Sequence, residues 1–277
     1  MAGIMETPKT VVQKAVEDDI AGTAARVAYY FFLALFPAVI ALFAFAGILG
    51  GDQAFEWVMS RVRQTLPQDA QGMLQRFLGE ITGQSRPGLL SVGILGVLWA
   101  ASNSFNGLAI GLNRMYGVDE DRSWWKRRLI AIGLLIASAF ALNLGAVAIL
   151  AGPEIIGALG LGSLTVVWTW VMAFVLIAGL FWLTYYLLPN KDQARGKKEV
   201  LIGAAVGTVM WVLASALFRM YVANFGNYSA TYGFLGGVII LMLWLYITAL
   251  AILFGGEVAA TLQEAHSRGG TKAPASA

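Results

Sequence analysis

Few side chains of this chain can do chemistry. It has no cysteine and one histidine, His266, in a polar C-terminal stretch. Thiolate chemistry and disulfides are therefore excluded, and a histidine-based catalytic or metal site is not expected. Asp119, Glu257 and the tyrosines could exchange protons, but no paired carboxylates and no nucleophile–base spacing occur. We therefore predict no enzyme activity, no catalytic residue, no metal and no cofactor.

Other polar side chains lie inside long apolar runs, at helical spacing. One face of a predicted helix carries Trp99, Asn103, Asn106, Ile110 and Asn113, with the GxxxG pair Gly107 and Gly111 beside it. A second stripe advances by four residues through Gly203, Gly207, Trp211, Ser215 and Arg219. In a membrane, such residues either join helices or line a polar pathway. The sequence leaves both interpretations open.

The stretch 219–237, RMYVANFGNYSATYGFLGG, places many hydrogen-bonding groups between two apolar runs. Tyrosines at this depth commonly form an interfacial belt. Asparagines, tyrosines and an arginine around one short turn would also suit a polar vestibule at the outer mouth of a bundle. Arg219 near the outer surface could anchor its helix or recognise an anionic headgroup.

Two charged residues and a proline are further candidate functional residues. Arg26 and Glu257 both fall near the predicted inner surface, where they could pair. Pro37 interrupts the first apolar run and should kink it. The residues that we predict for a substrate pathway are Tyr29, Tyr30, Pro37, Asn103, Asn106, Asn113, Ser215, Arg219, Asn224, Tyr228, Tyr232 and Glu257.

Composition shows which medium these residues must occupy. The chain of 277 residues is 58% apolar and 13% charged, whereas soluble domains average about 25% charged residues. Runs of about 20 apolar residues are long enough to cross a bilayer as helices. We predict an all-α polytopic membrane protein with six transmembrane helices, at 27–50, 89–113, 129–151, 164–188, 200–225 and 232–256.

Basic residues predict the orientation of these spans. They are concentrated in the connections 114–128 and 189–199 and are absent from 152–163 and 226–231. By the positive-inside rule, both termini are then cytoplasmic. The outer loop 51–88 should form two short amphipathic helices.

Three regions follow from these predictions. Residues 1–25 form a cytoplasmic juxtamembrane helix, and residues 26–260 form the six-helix transmembrane domain. Residues 261–277 form a disordered cytoplasmic tail.

Two segments resemble a known family. RVAYYFFLALFPAVIAL and FGNYSATYGFLGGVIILMLWLYITALAILFGGE are similar to the first-span and C-terminal signatures of the YihY/BrkB family of bacterial inner-membrane proteins. Acidic Asp18 and Asp19, the asparagine-rich second span and NRMYGVDEDRSWWKRR also match. Ala34 stands where the family often has serine. The resemblance implies six transmembrane helices and a multi-pass location in the inner (plasma) membrane.

Three functions are compatible with these features. The first is a transporter-like role that moves or exchanges a lipid or another amphipathic envelope molecule. The second is a non-transporting scaffold for envelope assembly, and the third is a membrane enzyme. The family was once labelled a ribonuclease, an interpretation we reject because no His/Asp metal cluster is present.

The expected partners follow from the same residues. They are membrane lipids, and the GxxxG elements permit a homo-oligomer. We expect no nucleic acid partner, because the basic residues lie in loops rather than in a soluble basic domain.

Overall fold

The computed structural model describes residues 2–35, 87–138, 140–141, 165–190, 196–224 and 228–270. These residues form seven helices and no strand, which confirms the all-α fold class. The helices are α1 (Ala2–Glu17), α2 (Ile20–Leu35), α3 (Pro87–Met115), α4 (124–138), α5 (Thr165–Leu187), α6 (Lys197–Asn224) and α7 (Tyr228–Gly270).

Local sequence explains where the N-terminal helices are interrupted. Asp19 has a φ of 50° and separates α1 from α2. Its carboxylate accepts a hydrogen bond from the Gly22 backbone N–H at 3.1 Å, and so caps the first turn of α2. An acidic pair at this position therefore starts a new helix instead of continuing α1.

The end of α3 is set by a glycine. Gly117 has a φ of +60°. The Gly117 N–H donates to the Arg114 carbonyl at 3.0 Å, and the Val118 N–H donates to the Asn113 carbonyl at 2.9 Å. This pair of bonds is the Schellman motif, which satisfies carbonyls of the last turn. The motif turns the chain after Met115, so that Glu120 returns to Asn113.

Among the described residues, three helices are long and apolar enough to cross a membrane: Val167–Leu187, Lys197–Ala223 and Gly236–Ser267. They match the spans predicted at 164–188, 200–225 and 232–256. The predicted second span, 89–113, lies within α3. The first and third predicted spans are covered only in part, by α2 and α4. The outer-loop helices predicted within 51–88 lie outside the described residues, and 87–88 begin α3.

The most extensive packing joins α6 to α7 through glycines. A Cβ on Gly203 would lie 2.5 Å from the Gly255 carbonyl oxygen, and a Cβ on Gly255 would lie 2.7 Å from the Gly203 oxygen. The two backbones are therefore too close for any side chain at these positions. α5 packs on α6, while α1 and α3 pack on α7.

Several polar segments meet at one end of the bundle. The Lys14 ammonium pairs with Glu264, so α1 contacts the end of α7. The Arg114 guanidinium donates to the Asp18 carbonyl at 3.2 Å, and the Gly196 N–H donates to Gln263 at 3.1 Å. We call this region, comprising residues 14–19, 113–122, 188–190, 196–199 and 257–266, the polar end.

The last helix corrects one predicted boundary. Residues 261–277 are predicted to be a disordered tail, yet α7 remains helical to Gly270. Contacts from Gln263 and Glu264 to other elements hold this extension at the polar end. The prediction is therefore wrong for 261–270, and 271–277 lie outside the described residues.

Candidate functional site

The two glycines of α3 bring this helix against α2 and α7. A Cβ on Gly107 would lie 3.0 Å from Val27, and one on Gly111 would lie 3.0 Å from both Leu253 and Thr23. The GxxxG pair is thus a packing surface between helices of this chain, as small residues in membrane helices often are. The asparagines beside it then point toward other neighbours.

Asn113 joins the end of α3 to two connections. Its Nδ2 donates to Glu120 Oε2 at 2.9 Å, and its Oδ1 accepts from the Asn190 N–H at 2.9 Å. The Asn190 side chain in turn donates to the Asp119 carbonyl and to the Asp121 carboxylate. Asn113 is buried and its amide is bonded through both polar atoms, so it joins helices rather than lining an open path.

Glu120 is held by a bidentate arginine. Arg122 donates from Nε to Oε1 at 2.8 Å and from its terminal nitrogen to Oε2 at 2.7 Å. The same guanidinium donates to the Leu188 carbonyl at 2.7 Å. Burial raises the pKa of Glu120, but the hydrogen bonds and charge of Arg122 outweigh it, and the pKa is lowered. The carboxylate is therefore stabilised in its charged form.

Asn103 contacts a basic and aromatic segment at the start of α4. Its Oδ1 accepts a hydrogen bond from Arg128 at 3.0 Å. The Arg128 guanidinium lies 5.5 Å from the centre of the Trp124 ring, and Lys126 Nζ lies 5.6 Å from that of Trp125. Both indoles are exposed, Trp124 by 67%. Exposed tryptophans beside cations are typical of a membrane–water interface.

Asn106 lines a small crevice. It faces Arg122, Arg127 and Leu188 across a free volume of about 10 Å³, which is room for about one water molecule. Arg127 Nε is buried there and has no hydrogen-bond partner. The crevice is too small for a lipid headgroup or any organic substrate.

The first-span residues lie on the outside of α3. Tyr29 is exposed, and its ring meets that of Tyr30 edge-on at 5.5 Å. Tyr30 in turn meets the Trp99 ring at 6.4 Å. Pro37, with the kink predicted for it, lies outside the described residues.

The residues of the predicted stripe on α6 differ in their hydrogen bonding and exposure. Trp211 Nε1 donates to Thr248 on α7 at 3.0 Å. One turn further, Ser215 Oγ is buried without a hydrogen-bond partner, and after another turn Arg219 is exposed. Asn224 is the last residue of α6, Tyr228 the first of α7, and Tyr232 follows one turn later.

Glu257 lies in the interior of the polar end. It is 0% exposed. Its Oε1 accepts from the Thr261 hydroxyl at 3.0 Å, whereas Oε2 has no hydrogen-bond donor. The predicted pairing with Arg26 is wrong, because Arg26 occupies the exposed face of α2.

Two tyrosines near Glu257 escaped the sequence analysis. Tyr185, fully buried in α5, donates its hydroxyl to the Ile252 carbonyl at 2.5 Å, against Gly207 and Gly255. Tyr116 has a buried hydroxyl with no partner. Burial, together with the negative charges of Glu257 and Glu199, raises the pKa of Tyr116. The only signal for Tyr185 is the run of three hydroxyl-bearing residues, Thr184 to Tyr186, near the end of an apolar span.

The pathway residues therefore fall into different surroundings. Asn103 and Asn113 on α3 have hydrogen-bond partners, and Asn106 lines a crevice of about the size of a water molecule. Ser215 and Arg219 lie along α6, and Glu257 is enclosed at the polar end. Sequence reasoning missed Asn190, Glu120 and Arg122. The signal for Glu120 and Arg122 was the charge-rich turn 117–122 after α3. Within the described ranges, no group of three or more His, Asp or Glu side chains could hold a metal ion.

Comparison with known proteins identifies relatives along almost the whole chain. The family model described as virulence factor BrkB matches residues 11–277. The ribonuclease-like protein YfkH of Bacillus subtilis is 34% identical over 250 residues, which cover 87% of this chain and 89% of its own.

Two further relatives are named as membrane proteins. A UPF0761 membrane protein of Alteromonas mediterranea is 26% identical over 274 residues, 92% of this chain and 86% of its own. Another, from Halorhodospira halophila, is 27% identical over 263 residues, 91% of this chain and 56% of its own. No solved structure matches. The resemblance in the two signature segments is confirmed, and the chain belongs to the virulence factor BrkB family of membrane proteins.

Proposed function

We propose that this protein is a non-enzymatic, multi-pass protein of the bacterial inner membrane that moves or exchanges a lipid or another amphipathic envelope molecule. The polar stripe at the far end of α6 is the observation that carries this proposal. Ser215 offers a buried hydroxyl group without a partner, and Arg219 is exposed one turn away. An ionisable residue in a membrane span is a functional candidate by default.

The surroundings of Arg219 suit an amphipathic molecule. The exposed side chains near Arg219 on the same helix include the apolar Leu213, Leu217, Met220 and Tyr221. Arg219 is about 33 Å from Lys197 along the axis of α6, at 1.5 Å per residue. That distance is close to the thickness of a hydrocarbon core, about 30 Å. A guanidinium at the headgroup level can bind a phosphate while acyl chains contact the apolar side chains.

The polar end supports the orientation. Basic side chains gather in the segments there and at the start of α4: Lys14, Arg114, Arg122, Lys126, Arg127, Arg128, Lys197 and Lys198. The positive-inside rule favours a cytoplasmic location for such a cluster. Arg219, at the opposite end of α6, then lies near the outer leaflet.

Reconstituted vesicles with labelled lipids test the proposal. We expect transbilayer movement of at least one anionic or zwitterionic lipid to be faster than in protein-free vesicles. Arg219→Ala should reduce the rate about tenfold, while Arg26→Ala, which removes an exposed arginine on α2, should not. Movement no faster than in protein-free vesicles, across a broad lipid panel, contradicts transport.

A scaffold function is the second candidate, because Asn103 and Asn113 are used in contacts between helices. The vesicle assay, applied to variants, distinguishes transport from a scaffold function. If Asn103→Ala or Asn106→Ala abolishes function only through loss of assembly, these residues pack helices. If Arg219→Ala abolishes lipid movement while the size-exclusion elution volume and the helical content are unchanged, a pathway is supported.

A further inference from the structure

We propose that the first residues of α4 and the exposed face that follows them form a binding site for an anionic phospholipid. The headgroup lies at Lys126 and Arg128, and an acyl chain follows the apolar face of the helix. The site does not depend on the proposed transport, because Arg219 lies on α6 and takes no part in it.

The first observation is positive charge without a counter-ion. Residues 123–138 carry three basic side chains and no acidic one. Just before them, Arg122 is neutralised by Glu120 at 2.7 Å. Lys126 and Arg128, in contrast, form no ion pair with any residue that the structure describes. Cations of this kind next to a membrane helix attract anionic lipids.

The second observation is that an exposed indole lies beside each of these cations. The Arg128 guanidinium is 5.5 Å from the centre of the Trp124 ring, and Lys126 Nζ is 5.6 Å from that of Trp125. The two tryptophans are 67% and 54% exposed. Tryptophans favour the headgroup level of a bilayer, so the two cations lie at the depth of lipid phosphates. Asn103 accepts from Arg128 at 3.0 Å and fixes its guanidinium.

The apolar part of the site is one face of α4. Trp125, Leu129, Gly133 and Ile136 follow one another at intervals of three or four residues, and all four are exposed. Leu134, on the opposite side of the helix, is 1% exposed. A Cβ added to Gly133 would meet nothing within 4 Å, so this part of the face is open.

The length of the face fits one leaflet. Trp125 and Ile136 are about 17 Å apart along the helix axis, at 1.5 Å per residue. Half the hydrocarbon core of a bilayer is about 15 Å thick. An acyl chain whose headgroup is held at Lys126 and Arg128 therefore runs beside the apolar face over its whole length.

Charge and shape together define the class of ligand. Arg128 uses one nitrogen for Asn103, and its remaining N–H groups can donate to a phosphate. Lys126 adds a second positive charge. A zwitterionic headgroup brings a cation of its own, which both side chains repel. The ligand is therefore a phospholipid with a net negative charge.

Native mass spectrometry of the full chain in detergent tests the site with phosphatidylglycerol and phosphatidylethanolamine. We expect the unmodified protein to bind phosphatidylglycerol more tightly. The double variant Lys126→Gln, Arg128→Gln should weaken this binding about tenfold. Equal binding of the two lipids by the unmodified protein would overturn the proposal. So would displacement of phosphatidylglycerol by an equal concentration of inorganic phosphate, because the apolar face would then contribute nothing.

The double variant Lys197→Gln, Lys198→Gln is the matched control. It removes the same charge from another exposed basic pair, at the start of α6. We expect it to change phosphatidylglycerol binding less than about twofold. A loss as large as that of Lys126→Gln, Arg128→Gln would show an effect of net charge and would overturn the assignment to α4.

Tryptophan quenching by brominated lipids locates the site without a change of charge. We expect brominated phosphatidylglycerol to quench the unmodified protein more than brominated phosphatidylcholine does. The double variant Trp124→Phe, Trp125→Phe should lose this excess. Trp170→Phe should keep it, because Trp170 is equally exposed, by 65%, but lies on α5. An excess that persists in the double variant contradicts the site, and this measurement decides the outcome if Lys126→Gln, Arg128→Gln fails to fold.

Discussion

At the scale of single residues, Glu120 is a carboxylate whose two oxygens are both hydrogen-bonded. Both of its oxygens accept from Arg122, and Oε2 also accepts from Asn113. Arg122 continues to the Leu188 carbonyl, so one carboxylate links α3, the turn before α4 and the end of α5. A charge-assisted bidentate pair of this kind is stronger and more specific than a neutral hydrogen bond.

Glu120 gives the protein a pH dependence on the acid side. The pKa of Glu120 is lowered from 4.5 in the folded chain, so its contribution to stability is complete above that value. The contribution is lost as pH falls through the lowered pKa. We expect Glu120→Gln to lower the melting temperature at neutral pH and to flatten the loss of stability below pH 4.5.

Thermal unfolding in detergent at several pH values measures this effect. Asp119→Asn is the control, because Asp119 is exposed and takes part in the network through its backbone carbonyl. Equal acid sensitivity in the Glu120→Gln variant and the unmodified chain would show that another carboxylate is responsible.

At the scale of helices, glycines decide which pairs pack closely. Gly203 and Gly255 bring the backbones of α6 and α7 together, and Gly107 and Gly111 place α3 against α2 and α7. A glycine in a helix costs up to about 1 kcal/mol relative to alanine. A glycine at a close helix contact is therefore explained by the space that a Cβ would occupy.

Gly203→Ala tests this contact. The added Cβ would lie 2.5 Å from the Gly255 oxygen and 2.6 Å from the Ala259 Cβ, both attached to backbone. α6 and α7 must then separate, and we expect a loss of about 1–3 kcal/mol in the free energy of unfolding. Denaturant titration in detergent, followed by circular dichroism, measures the loss.

Gly179→Ala on α5 is the matched control, since nothing lies within 4 Å of its added Cβ. This variant should be neutral or slightly stabilising. A Gly203→Ala protein as stable as Gly179→Ala would mean that α6 and α7 do not pack as closely as described.

At the scale of the whole molecule, the contact of α1 with the end of α7 places the first and last helices together at one end of the bundle. The Lys14–Glu264 pair places Gln13 and Ala265 at the same end of the bundle. The surface around the helices is rich in exposed apolar side chains, among them Val167, Trp170, Leu201 and Leu213. In lipid such a surface is the expected exterior.

Cysteine accessibility tests the predicted sidedness. The chain lacks cysteine, so Gln13→Cys and Ala265→Cys each introduce a single thiol. We expect neither to react with an impermeant maleimide in intact spheroplasts and both to react after permeabilisation, because both ends are predicted to be cytoplasmic. Reaction of only one of them in intact cells would contradict the architecture.

The fold class and the positions of several helices could be read from the sequence, because lipid requires long apolar runs to satisfy their own backbone bonds. The spacing of Gly203 and Gly207 placed them on one face of α6, and the structure showed that this face packs against α7. The partners of Asn113 could not be predicted from the sequence. Asn190 is 77 residues away, and local periodicity carries no information about distant contacts.

The surroundings of Glu257 show which features the sequence determined and which ones the tertiary structure decided. The sequence by itself determined that a carboxyl group stands near one end of the last apolar run, and opposite charge made Arg26 its natural partner. Only the tertiary structure turned Arg26 to the exposed face of α2 and enclosed the Glu257 carboxyl group, which accepts a hydrogen bond from Thr261. Helix register and the break at Asp19 set that geometry, because the rigid packing of helices, rather than Coulomb attraction, determines which side chains can meet.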